Sequence, residues 1–203
     1  MSEHARTYVV TGAASGIGKA TADLLVERGH RVIGVDLHGA DVDVDLGTAS
    51  GRAELVARVT ELSGGHIDAI IANAGLATGT PATVAVNYFG AVATLEGLRP
   101  LLQNSPAPRA VATASMALLF PPDQVLLDAM LAGDEGAALA RAQTLAESPD
   151  TAGAIYGTTK RALARWIRRT APTEAWAGAH IPLNAVAPGV VETPMTAQFT
   201  ATE

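Results

Sequence analysis

The sequence has 203 residues, 48% of them hydrophobic, 17% charged and 4% aromatic, with a formal net charge of −6 and no cysteine. That length supports one substantial buried core and argues against two. The acidic balance disfavours nucleic acid and anionic membrane surfaces as partners, and the missing cysteine excludes disulfides, thiolate nucleophiles and cysteine-ligated metals.

The polar start, Met1 to Arg6, leads into Tyr8-Val9-Val10, a run far too short for a signal or a membrane span, which points to the cytoplasm. Short β-like runs then alternate with helical patterns, as in βαβ units around a parallel sheet. Tyr8 to Thr11 reads as a first strand, Gly16 to Arg28 as a helix stopped by Gly29, and Arg31 to Asp36 as a second strand. A helix from about Ser50 to Leu62 ends at Gly64-Gly65, and Ile67 to Ala72 is apolar enough for a buried parallel strand. A long helix is expected over roughly Val84 to Gln103, a strand over Arg109 to Ala114, a helix from about Ile155 to Arg169 or on to Trp176, and a last strand over Ile181 to Val186. The expectation is one α/β domain, 1–203, with a doubly wound parallel sheet and an insertion at about 121–150.

Within that insertion Val125, Leu126, Ala129 and Met130 share a helical face ended by Gly133, and Ala137 to Ala146 has helical composition. A helical hairpin and a flexible lid both fit this pattern. The five histidines, His4, His30, His38, His66 and His180, are scattered without ligand spacing, so no metal is expected.

Gly12, Ser15, Gly16, Ile17 and Gly18 lie between the first strand and the first helix. Glycines there let backbone approach a pyrophosphate whose charge the helix N-terminus stabilises. Asp36, 18 residues after Gly18, ends the second strand where a carboxylate can accept from ribose hydroxyls and would repel a 2′-phosphate. With no basic group at Ser15 or Leu37, NAD is favoured over NADP. Tyr156 and Lys160 stand at i and i+4 on one helical face, where an ammonium favours the phenolate form of a general base.

These residues, with Asn73-Ala74-Gly75, Asn87, Ser115 and Pro188-Gly189 in that order, resemble a short-chain dehydrogenase/reductase over nearly the whole chain. The glycine spacing differs from that of extended, epimerase-like relatives. Val86-Asn87-Tyr88-Phe89-Gly90, and the 41 residues separating Ser115 from Tyr156, are most similar to bacterial 3-alpha-hydroxysteroid dehydrogenase/carbonyl reductases.

The resemblance implies an oxidoreductase in which Tyr156 is the acid/base, Lys160 favours its phenolate and bonds the nicotinamide ribose, Ser115 holds the substrate oxygen, and Asn87 anchors a water leading to Lys160. It implies Gly12, Ile17 and Gly18 at the pyrophosphate, Asp45 and Leu46 at the adenine, and Asn73, Ala74 and Gly75 beside the adenosine ribose. Val191 and Thr193, after Pro188 and Gly189, match positions that bind the carboxamide. Simpler readings stand beside these: Asn73 as a tie between strands, Asn87 as a partner in a kinked helix, Ser115 as a cap, and Arg161, Arg165, Arg168 and Arg169 as a solvated or subunit-facing basic face.

The expected substrate is a hydroxysteroid or similar bulky apolar secondary alcohol or ketone. Alternatives are a dehydrogenase of another secondary alcohol, a regulator that senses NAD without turnover, and a dead enzyme whose hairpin docks a partner. The insertion should obstruct the helices through which the family commonly pairs, so a homodimer is expected. Members of the family continue well past the Pro188-Gly189 loop, so the 203 residues are expected to belong to a longer protein whose last visible strand has an uncovered edge.

Overall fold

The computed structural model describes residues 5–197; the expected end of the chain around Thr200 to Glu203 lies outside them. Six parallel strands form one sheet in the order β3-β2-β1-β4-β5-β6. They are β1 (Thr7–Thr11), β2 (Arg31–Asp36), β3 (Val42–Asp43), β4 (Ala69–Ala72), β5 (Arg109–Thr113) and β6 (Leu183–Val186). Thr7 pairs with Arg31, Val10 with Ile71 and Ala112 with Ala185. The chain winds outward from β1 to β3, then crosses back to lay β4 on the other side of β1. That reversal opens a crevice above the carboxyl ends of the strands, the usual ligand position in such sheets.

Local chemistry sets the helices. The loop after β1 leads into α1 (Gly16–Glu27), and Gly29 at φ +82° turns the chain back into β2. Thr48 caps α2 (Ala49–Ser63) by accepting the Gly51 N–H at 3.0 Å, and Gly64 ends it in the left-handed region. Asp123 and Asp134 cap α5 (Gln124–Ala132) and α6 (Glu135–Ala146), with Gly133 at φ +75° between them. Ser148 caps the 22-residue α7 (Pro149–Thr170), with Pro149 at the first helical position, where its missing N–H costs nothing.

The insertion is therefore a helical hairpin, packed on α7 and on the short α3 (Pro81–Val84). Its buried face is Leu126, Leu127 and Met130; Val125, expected on that face, is 61% exposed because the helix is rotated by about one residue. The long helix expected from Val84 is segmented: α3, a π-turn over Ala85–Gly90, α4 (Ala91–Leu98) and a 3₁₀ turn over Arg99–Leu102. Both β4 and β6 begin two residues later than expected. The Asp68 N–H still bonds the Thr7 carbonyl at 2.8 Å, but Ile67 turns aside to Leu101.

The core fills both faces of the sheet. Trp176 is fully buried, and its Nε1 donates to Glu96 Oε1 at 3.2 Å. Among the described residues no helix is long and apolar enough to cross a membrane.

Candidate active site

The carboxyl ends of β1, β2, β4, β5 and β6 surround one cavity of about 610 Å³, within the usual range for small-molecule and cofactor sites. The loop after β1 forms its floor. The Thr11 hydroxyl is buried and accepts from the Asn73 and Ala74 N–H groups, both at 3.0 Å, which clips β4 to β1 at the cavity. Gly12 has φ +71°, and a Cβ there would stand 2.9 Å from Asn73 Nδ2 and 3.0 Å from Ala74 Cα. At Gly18 a Cβ would lie 2.0 Å from the Gly12 carbonyl oxygen, so α1 rests directly on the loop. Ser15, Gly16 and Ile17 then bring the start of α1 to the cavity wall. The first N–H groups of such a helix lack intrahelical partners and favour an anion. Bare backbone kept clear of side chains fits a pyrophosphate.

At the end of β2, Asp36 Oδ2 accepts the Ala14 N–H at 2.9 Å and Oδ1 the Leu37 N–H at 2.7 Å. The carboxylate is thus held at the cavity, and among the described residues Lys160 is the basic side chain that lines it. Asp45, Leu46 and Gly47 continue that wall, with Asp45 Oδ1 taking the Gly47 N–H at 2.8 Å. Asn73 Oδ1 accepts from Thr113 Oγ1 at 3.1 Å, so Asn73 lines the cavity and also ties β4 to β5.

Across the cavity, α7 presents Tyr156 and Lys160. Lys160 is 4% exposed. Its Nζ donates to the Thr113 carbonyl at 2.7 Å and lies 5.8 Å from the Tyr156 ring centroid. Burial pushes its pKa down to about 8, as loss of solvation penalises the cation. Ser115, just past β5, lines the cavity and starts a 3₁₀ turn over Met116–Leu119, accepting the Ala117 N–H at 3.2 Å. It is both a cap and a cavity residue. Pro188, Gly189, Val191 and Thr193 form the far wall, and the Met116 N–H bonds the Pro188 carbonyl at 2.9 Å.

Of the residues expected at the site, only Gly18 and Asn87 stand behind the wall instead of in it. Asn87, 1% exposed, lies in the π-turn. Its Oδ1 accepts the Leu76 N–H at 2.7 Å, and its Nδ2 donates to the Leu76 carbonyl at 2.9 Å and to Thr159 Oγ1 at 3.2 Å.

The structure corrects one expectation and adds several residues. Arg161, expected with its neighbours on a solvated or subunit-facing basic face, is not freely solvated: its Nε donates to the Leu118 carbonyl at 2.8 Å and pins the Ser115 turn to α7. Gly157 faces the same turn, where a Cβ would stand 2.9 Å from the Ala117 carbonyl oxygen. Thr158 and Thr159, both fully buried, face different partners: Thr158 Oγ1 accepts the Asp123 N–H at 3.0 Å. Leu76, Thr113 and Met195 also line the cavity. Their one sequence signal was adjacency to expected residues, which says nothing about side-chain direction.

The short chain dehydrogenase family matches residues 6–126 and 119–203. The 3-alpha-hydroxysteroid dehydrogenase/carbonyl reductase of Comamonas testosteroni is 36% identical over 195 residues, covering 92% of this chain and 73% of that protein. Cis-4-hydroxycyclohexanecarboxylate dehydrogenase of Sinomonas cyclohexanicum is 32% identical over 213 residues, covering 97% and 77%. Among solved structures, the 3-alpha-hydroxysteroid dehydrogenase of Pseudomonas sp. B-0831 complexed with NADH superposes with a TM-score of 0.86 at 40% identity, covering 97% of this chain and 77% of that one.

Proposed function

The chain belongs to the short chain dehydrogenase family and is an oxidoreductase, and on that premise we propose that it interconverts a secondary alcohol and a ketone with NAD. The substrate is a hydroxysteroid or a similarly bulky, apolar, neutral compound. The observation that carries this reading is the buried Lys160 ammonium 5.8 Å from the Tyr156 ring, in a cavity that Asp36 also lines.

A dinucleotide bound over Gly12, Ser15, Gly16 and Ile17, with Gly18 beneath, supplies or accepts the hydride. Tyr156 gives its phenolic proton to the ketone oxygen in reduction and takes the proton of the alcohol in oxidation. Lys160 places a buried cation 5.8 Å from the Tyr156 ring centroid. Ser115 Oγ accepts the Ala117 N–H, so its own hydrogen can be donated to the substrate oxygen. Asn87 stands behind Lys160 and fixes the Leu76 backbone. Asp36 accepts from the adenosine ribose and repels a 2′-phosphate, which supports NAD over NADP. Asp45, Leu46, Asn73, Ala74 and Gly75 flank the adenosine, and Pro188, Gly189, Val191 and Thr193 the carboxamide end.

A neutral substrate is supported by the lining itself. Its charged residues among those described are Asp36, Asp45 and Lys160, and the lysine is buried against the Thr113 carbonyl. Among the described lining residues, a substrate carboxylate would find no cation beside Leu76, Met195 and Val191. We also propose a homodimer, because the hairpin covers parts of α3 and α7.

Screening ketones with NADH and NADPH tests the reading. It expects turnover of apolar alicyclic ketones with NADH. Tight NADH binding without turnover of any ketone or alcohol would contradict it and favour a sensor of NAD.

A further inference from the structure

α7 carries two consecutive, fully buried hydroxyls between Tyr156 and Lys160. Thr158 donates to the Ala154 carbonyl at 2.7 Å and accepts from Asp123 at the foot of the hairpin. Thr159 donates to the Tyr156 carbonyl at 2.7 Å, which leaves an oxygen lone pair facing Asn87 Nδ2 at 3.2 Å. The Asn87 carboxamide is thereby held at three points. Flipped, it would set its NH₂ against the Leu76 N–H, donor against donor, and lose its bond to the hydroxyl.

The held orientation matters to Lys160. A Cβ built on Gly75 would stand 3.2 Å from Asn87 Oδ1 and 3.5 Å from Lys160 Nζ. The carboxamide oxygen and the ammonium therefore flank the same point of bare backbone, with the oxygen presenting its negative end to that space. Around the ammonium, α7 supplies Tyr156, β5 the Thr113 carbonyl, the strand exit after β4 Gly75, and the π-turn Asn87. Burial lowers the Lys160 pKa, and Tyr156 is the titratable side chain among these neighbours.

We propose that Thr159 is a positioning residue for the Tyr156–Lys160 pair: its buried hydroxyl fixes the Asn87 carboxamide, and through it the Gly75-Leu76 backbone, beside the ammonium. This deepens the acid/base role proposed above and rests on it. Without the hydroxyl, Nδ2 keeps a single acceptor in a buried site, the carboxamide loosens, and the ammonium loses a fixed dipole.

The chain has two lysines, exposed Lys19 and buried Lys160, so 13Cε-lysine NMR follows each directly, with Lys19→Arg assigning the pair. In Thr159→Val and Thr159→Ala the Lys160 midpoint should fall by about half a pH unit or more. Alcohol turnover should drop about tenfold in kcat with KM little changed, and Thr159→Ser should restore both. Thr158→Val, equally buried but joined to the hairpin, should lower the melting temperature and leave the lysine titration in place. If Thr159→Val fails to fold, the smaller Thr159→Ala carries the test. A wild-type titration in the folded threonine variants would overturn the proposal. The titration needs no turnover, so an inactive wild-type protein counts against the proposed activity alone.

Discussion

Lys160 Nζ reaches from α7 to the Thr113 carbonyl at the end of β5, 2.7 Å away. The helix bearing Tyr156 and the strand leading to Ser115 are therefore joined by the ammonium itself.

That position has a cost with a definite pH dependence. Burial lowers the folded lysine to about 8 from a reference of 10.5. Between those values the unfolded chain still holds a proton that the folded chain has released, so stability rises with pH across the window. Below the lower value both forms are protonated and the full burial cost is present. Urea unfolding from about pH 7 to about pH 10 should show wild-type stability rising by about 3 kcal/mol relative to Lys160→Met. At neutral pH the methionine variant should be as stable as wild type or more so, with activity reduced on the order of a hundredfold or more.

Asp36→Asn removes the charge and keeps one acceptor oxygen, which can serve the Ala14 or the Leu37 N–H but not both. The ratio of kcat/KM for NADH over NADPH should fall by about tenfold or more, with a small drop in melting temperature from the N–H left without its acceptor. An unchanged ratio would remove Asp36 as the source of NAD preference.

The hairpin depends on Asp123, which accepts the Leu126 N–H at 2.8 Å and takes Arg141 Nε and Nη2 at 3.1 and 2.6 Å. The Arg141 guanidinium holds its carboxyl below the usual carboxylate range. Its contribution is thus present above about 4 and lost as pH falls through the lowered folded value. Asp123→Ala should cost about 1 kcal/mol from the lost cap, and it also releases Arg141. Limited proteolysis should cut first within 124–146. Sedimentation should give a two-subunit mass for the wild-type protein; four subunits would show that the hairpin does not block further pairing.

Much of this was legible in the sequence, and the failures have physical causes. Val9, Val10, Ile33 and Val35 are β-branched and buried, so β1 and β2 were plain, as were the glycines that end α1, α2 and α5. β3, just Val42 and Asp43, is too short to carry a period. The π-turn at Asn87 follows from side-chain bonds to Leu76 and Thr159, groups distant in sequence that no helical periodicity reports. The helix expected from about Ile155 begins at Pro149, inside the expected insertion. Arg161 was grouped with its neighbours as a solvated or subunit-facing basic face, whereas a backbone carbonyl 43 residues away sets its direction. Patterns within one element could be read; contacts between elements decided the rest.

Two glycines give opposite expectations. Gly18→Ala would press a methyl into the Gly12 carbonyl and should cost about 3 kcal/mol or more, together with dinucleotide affinity. Gly153, on α7 with nothing within 4 Å of a built Cβ, should accept alanine with a gain of about 0.5–1 kcal/mol. Chemical unfolding of both variants checks the pair.

The most direct measurement is alcohol-dependent NADH formation by wild type and by Tyr156→Phe, with NADH binding followed in parallel. Loss of turnover by about a thousandfold or more, with binding nearly unchanged, is the predicted result. A Tyr156→Phe protein that turns over like wild type would contradict the account.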